Sequence, residues 1–107
     1  MQTIIHVLCK KGDSLRDIIA KDSKIDVYGL DLTEFKNQNR AHGWAKIKSS
    51  GTPGALNLKW DASSQTLICR AVTKLNNIPE VIVGSFVAYL LARHGKRIVS
   101  IVISQIK

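Results

Sequence analysis

Cysteine, proline and methionine are scarce in this chain, which has two, two and one of them. Two lone cysteines cannot supply the multi-bridge framework that holds small secreted domains together. Cys9 and Cys69 each lie within an apolar, strand-like run, where a free thiol behaves as a small hydrophobe, so both are expected to be reduced core residues. Long apolar runs are also missing. The run at 78–92 is broken by Pro79, Glu80, Gly84 and Ser85, and the run at 98–103 is short; neither reaches the roughly 20 apolar residues of a membrane-spanning helix. The opening nine residues have no basic start, and their apolar stretch stops at Lys10, before a secretory signal would be complete, so a cytoplasmic location is expected. No glycine-rich phosphate loop follows a strand, and His6, His42 and His94 are scattered. Neither a metal nor another cofactor is expected.

Acidic residues are scarce in one part only. Residues 1–34 hold five basic side chains against six acidic ones, whereas residues 35–107 hold eleven basic ones against only Asp61 and Glu80. The formal charge of +8 therefore belongs to the second part of the chain. Such a distribution suits a protein that meets a polyanion, and it argues against a paired-carboxylate active site in the basic part. With 107 residues, 45% of them hydrophobic and 22% charged, the chain fits one globular domain spanning 1–107, with no repeat or linker to divide it.

The hydrophobic periodicity predicts an α+β domain. Residues 3–9 alternate Ile5, Val7 and Cys9 with Ile4, His6 and Leu8, which predicts a strand. Asp13 or Ser14 can cap a short helix whose apolar face is Leu15, Ile18 and Ile19. A turn is expected at Tyr28-Gly29, and Asp31 or Thr33 reads as the start of a second short helix through Asn39. From His42 the period becomes two, and 44–49, 55–61 and 65–73 read as three strands separated by turns at 50–54 and 62–64. Short connections imply an antiparallel meander. Asn77, Pro79 and Glu80 read as the start of the principal helix, with Val83, Phe86, Val87, Leu90 and Leu91 on its buried face and Gly95 at its end. A last strand at 97–104 is expected to turn Val99, Ile101 and Ile103 to one side.

The meander offers a candidate binding face. Alternation puts Leu56, Leu58, Trp60, Leu67, Cys69 and Ala71 inward, leaving Trp44, Lys46, Lys48, Lys59 and Arg70 together on an open side. An aromatic ring among cations on a sheet can hold single-stranded nucleic acid by stacking and phosphate pairing. A second basic cluster, Arg93, Lys96 and Arg97 with His94, follows the long helix, where the helix dipole alone also favours cations.

Two family resemblances converge on the first turn. Gly12-Asp13-Ser14-Leu15 resembles the nucleophile block of GDSL hydrolases. That family also needs an Asp-x-x-His, and here Leu91 stands three residues before His94; without a paired base, Ser14 is an ordinary cap. The longer run Lys10-Lys11-Gly12-Asp13-Ser14-Leu15-Arg16-Asp17-Ile18 resembles the opening of a LysM module, over residues 3–48 at most. That resemblance implies binding of N-acetylglucosamine polymers through the Gly12 to Leu15 loop, although the middle is longer than the pattern and the closing Ile-Pro is absent. The leading expectation is a non-enzymatic module binding single-stranded DNA or RNA through the basic sheet face. The alternative is a protein-interaction subunit or homodimer burying the Trp44 face, and a small ribonuclease using His42 or His94 with a lysine stays open.

Overall fold

The computed structural model describes residues 2–35, 45–49, 52–72 and 79–106. The alternating N-terminal run forms β1 (Gln2–Cys9), with Ile5 and Val7 fully buried and Leu8 turned outward. Ser14 then caps α1 (Leu15–Ala20), its hydroxyl accepting from the Asp17 N–H at 3.2 Å. Leu15 and Ile19 enter the core and Ile18 packs beside them, as their i, i+3, i+4 spacing requires.

The chain continues through one short 3-10 turn, Ile25–Tyr28, that ends at Gly29 in the left-handed conformation (φ 74°), which favours glycine. The next element departs from the sequence expectation. Where the sequence predicts a second helix, Leu30–Phe35 is a strand, β2, while residues 36–39 of that expectation lie outside the described residues. Asp31 looks like a helix cap in isolation, but Leu30 is buried while Asp31 is exposed, the alternation of a strand. Antiparallel pairing with the next strand decides between the two.

The meander is present as expected: β3 (Ala45–Ser49), β4 (Thr52–Asp61) and β5 (Thr66–Val72). β4 begins earlier than its apolar pattern indicates. The β3–β4 register jumps from Lys48↔Ala55 to Ser49↔Thr52, accommodating Pro53 and Gly54 in a bulge where Gly54 has φ 110°. The principal helix, α2 (Glu80–His94), precedes a final strand, β6 (Ile98–Ile106). The fold is α+β: one six-stranded antiparallel sheet in the order β2-β3-β4-β5-β1-β6, with α1 and α2 contributing to the core on one side of it. A single buried cluster joins Ile5, Val7, Ile47, Leu56, Leu58, Leu67 and Cys69 of the sheet to Ile82, Phe86, Tyr89 and Leu90 of α2.

Two faces are set differently from the sequence reading. In α2 the buried residues are Ile82, Val83, Phe86, Tyr89 and Leu90, while Leu91 is exposed. Tyr89 can take a fully buried position because its hydroxyl finds partners there. In β6 the register passes from Leu8↔Ser100 to Cys9↔Ile98, so Val99 is an extra residue and turns to solvent, leaving Ile98 and Ile101 against the core. Ile103 shares the core side with its partner Ile5 but stays partly exposed because β6 is the sheet's last strand.

Candidate nucleic-acid interface

The antiparallel register fixes which side chains share the face opposite α2. Lys46 pairs with Asn57, Asn57 with Arg70, Arg70 with Ile4, and Ile4 with Ser104. One row along, Lys59, Ile68, His6 and Val102 line up in the same way. Because Leu56, Leu58 and Cys69 alternate with these residues and are fully buried, Lys46, Lys48, Lys59 and Arg70 lie on the other face. Lys48 is exposed, and Lys46, Lys59 and Arg70 are half-buried. Three adjacent strands therefore bring together four of the expected cations. Lys46 and Arg70 both make polar interactions. Trp44, the ring expected to stack on bases, lies outside the described residues, as does His42.

The strand state of 31–35 adds a neighbour to this face that a helix there would not. With β2 paired to β3, Asp31 stands opposite Lys48 and Glu34 opposite Lys46 in the register. Opposite charges across strands, as at Asp31 and Lys48, stabilise a pair by about 0.2–1 kcal/mol and offset its outward field. The cations farther from β2, Lys59 and Arg70, stand next to a β1–β6 surface that has Ile4, His6, Val102 and Ser104 on this side and no carboxylate. Asp61 also belongs to the face. Its carboxylate accepts from the Ser63 and Ser64 hydroxyls at 2.7 and 2.9 Å and from the Ser63 N–H, and these bonds hold its pKa below the ordinary value.

The second basic cluster is built into the fold. Arg93 forms a two-pronged contact with Asp22, with Nη2 at 2.8 Å from Oδ1 and Nε at 3.2 Å from Oδ2. Arg97 donates from Nη2 to the Asp13 carbonyl at 2.9 Å, and its backbone carbonyl accepts from Lys10 at 2.8 Å. A Cβ added to Gly12 would lie only 3.0 Å from the Arg97 guanidinium carbon, so the absence of a side chain at Gly12 lets the arginine cross the loop. Lys96 is exposed. The loop is held from the other side by Gln65, a non-glycine residue at φ 53°. Its Oε1 accepts from the Gly12 N–H and its backbone carbonyl from the Cys9 N–H, both at 2.9 Å. These bonds account for a backbone conformation that costs of order 1 kcal/mol or more in a non-glycine residue.

Asp22 is the functional-looking residue that sequence reasoning missed. Its side chain is 5% exposed, and besides Arg93 it accepts the Tyr89 hydroxyl at 2.7 Å. His94 Nε2 is 2.9 Å from the Tyr89 oxygen and 3.3 Å from Asp22 Oδ2. The Arg93 contact, with smaller help from Tyr89, holds the Asp22 carboxyl well below the usual carboxylate range. Tyr89 has one hydroxyl proton and gives it to that carboxylate, so His94 Nε2 must carry a proton of its own and donate. Burial lowers the His94 pKa from the ordinary imidazole value, against a smaller opposing pull from Asp22. Burial, then Asp22, raises the Tyr89 pKa far above the ordinary phenol value.

Both cysteines are free; burial raises the pKa of each, most strongly for the fully buried Cys69. Among the described residues no three His, Cys, Asp or Glu side chains are grouped as metal ligands, and no helix is long and apolar enough to cross a membrane. No family model matches the chain, and neither does any curated protein or solved structure.

Proposed function

We propose that this chain is a non-catalytic binding module for single-stranded nucleic acid, held on the sheet face opposite α2. The observation that carries the reading is the co-facing set Lys46, Lys48, Lys59 and Arg70 on three adjacent strands. Cations at that spacing pair with a phosphate backbone, and the neighbouring Ile4, His6 and Ile68 give bases an apolar and aromatic surface on which to rest. Trp44, which adjoins Ala45 in sequence, is the ring assigned to base stacking. A cytoplasmic location accords with such a ligand and with two free thiols. Arg93 and Arg97 serve the fold first, so the sheet cations are the ones to test.

The test is binding of fluorescent single-stranded DNA and RNA of mixed sequence. Lys48→Glu and Lys59→Glu together should weaken binding at least tenfold, while Lys96→Glu, at the far end of α2, should change it much less. Equal losses from the two surfaces, or no binding by the unaltered protein at low salt, would remove this reading. Salt-insensitive binding of chito-oligosaccharides would favour the sugar-binding reading that the first turn suggests.

A further inference from the structure

β6 differs from the edge strands that proteins ordinarily tolerate. It is nine residues long, stands last in the sheet among the described residues, and contains no charged residue, proline or glycine. Charges and prolines are the usual protection of such an edge, whose outer row of N–H and C=O groups is a template for another strand. The only disruption is the bulge at Val99, near its start. Apolar side chains are exposed on both sides of the strand: Val102 at 47% beside Leu8 on one face, and Ile103 at 48% on the core face. Any occupant of this edge must itself be an extended, largely apolar strand.

The order of residues in β6 identifies that occupant. Read outward from Val102, the sequence is nearly the same in both directions: Ile101 and Ile103, then Ser100 and Ser104, then Val99 and Gln105, then Ile98 and Ile106. An antiparallel strand with this order matches itself. Centred on Val102, two copies would place Val102 opposite Val102, isoleucine opposite isoleucine and serine opposite serine. Over 100–104 each side chain would face its own kind on the same side of the sheet, whereas Val99 would meet Gln105 and the bulge leaves Ile98 and Ile106 on opposite sides. A two-fold axis through Val102 is the symmetry of an isologous dimer, in which one patch serves both subunits. The +8 charge of each chain opposes self-association generally, and an uncharged strand is where two copies can approach with least repulsion.

We propose that β6 pairs with β6 of a second copy, antiparallel and in register about Val102, joining two six-stranded sheets into one. The basic strands β3, β4 and β5 lie away from this edge in each copy, so the interface is independent of the nucleic-acid reading and either can fail alone.

Sedimentation of the full chain over micromolar to submillimolar concentrations should show a monomer–dimer equilibrium. Val102→Lys should shift it to monomer, because two lysines would meet at the axis, while circular dichroism and Tm stay close to those of the unaltered protein. For register, Val102→Cys in a Cys9→Ser background should form a disulfide-linked dimer on mild oxidation, since directly opposed strand residues lie about 4.5–5.5 Å apart, within disulfide reach. Val99→Cys should not, because its own copy would stand six residues away along the strand, about 20 Å. A wild-type protein that stays monomeric throughout, or a dimer that Val102→Lys leaves intact, would overturn the interface. Equal cross-linking at the two positions would overturn the register.

Discussion

Asp22 links the two helices: it follows α1, accepts locally from the Lys24 N–H, and meets Tyr89, Arg93 and His94 from the last turns of α2. It fastens the short first helix to the long one. Asp22→Asn keeps the shape but removes the charge, and should cost about 2–3 kcal/mol in urea unfolding, the size of a hydrogen bond to a charged group. A larger loss is not expected because the Arg93 side chain is 40% exposed and water screens that part of the pair. The pH dependence follows in sign from the same cluster. His94 has a lowered pKa in the fold, so its penalty is absent above about pH 6.5 and grows as pH falls below it. Asp22, also lowered, contributes stability that is complete above about pH 4 and is lost below. His94→Gln should therefore flatten the decline in Tm between pH 7 and pH 5 and leave the steeper loss below pH 4; an unchanged slope between 7 and 5 would contradict the lowered pKa of His94. None of this is legible in the sequence beyond the basic ending of α2, because Asp22 lies 71 residues from Arg93 and nothing local marks it as a partner.

The elements that declare themselves are those with complete local signals. The Ser14 cap, the alternation in β1 and the turn after β4 are each specified within a few residues, and each is where the sequence puts it. β2 misleads because Asp31 and Thr33 satisfy a helix-start pattern, whereas its strand state depends on pairing with β3, a non-local contact. α2 ends where expected but starts at Glu80, with Pro79 rather than Asn77 at its cap, Asn77 lying outside the described residues. It is also turned, since Tyr89 takes a buried slot expected of a purely apolar side chain and Leu91 faces outward. Two substitutions check this orientation. Phe86→Ala, at a fully buried position, should cost about 3–5 kcal/mol. Leu91→Ala should cost well under 1 kcal/mol, as exposed positions do. Comparable losses at both would mean that α2 presents the face expected from its periodicity.

Across the whole molecule, charge asymmetry is visible in the sequence but its destination is only half visible. Lys46, Lys48, Lys59 and Arg70 do share a face, as strand alternation requires. Asp31 and Glu34, counted with the acidic first third, come to stand against Lys48 and Lys46 once β2 joins the sheet. The positive surface is therefore narrower than the composition implies, with Asp31 opposite Lys48 and Asp61 next along the same face from Lys59. Arg93 and Arg97, which add to the formal charge, are engaged by Asp22 and by the Asp13 carbonyl. The most direct measurement of the central claim is the salt dependence of single-stranded RNA binding, compared between the unaltered protein and Lys59→Ala. Binding should weaken linearly on a log–log plot, and the variant should lower the slope by about 0.7, the loss of one phosphate contact on a single strand. Tight binding with a slope near zero, or a slope that Lys59→Ala leaves unchanged while Lys96→Ala reduces it, would contradict the sheet-face assignment.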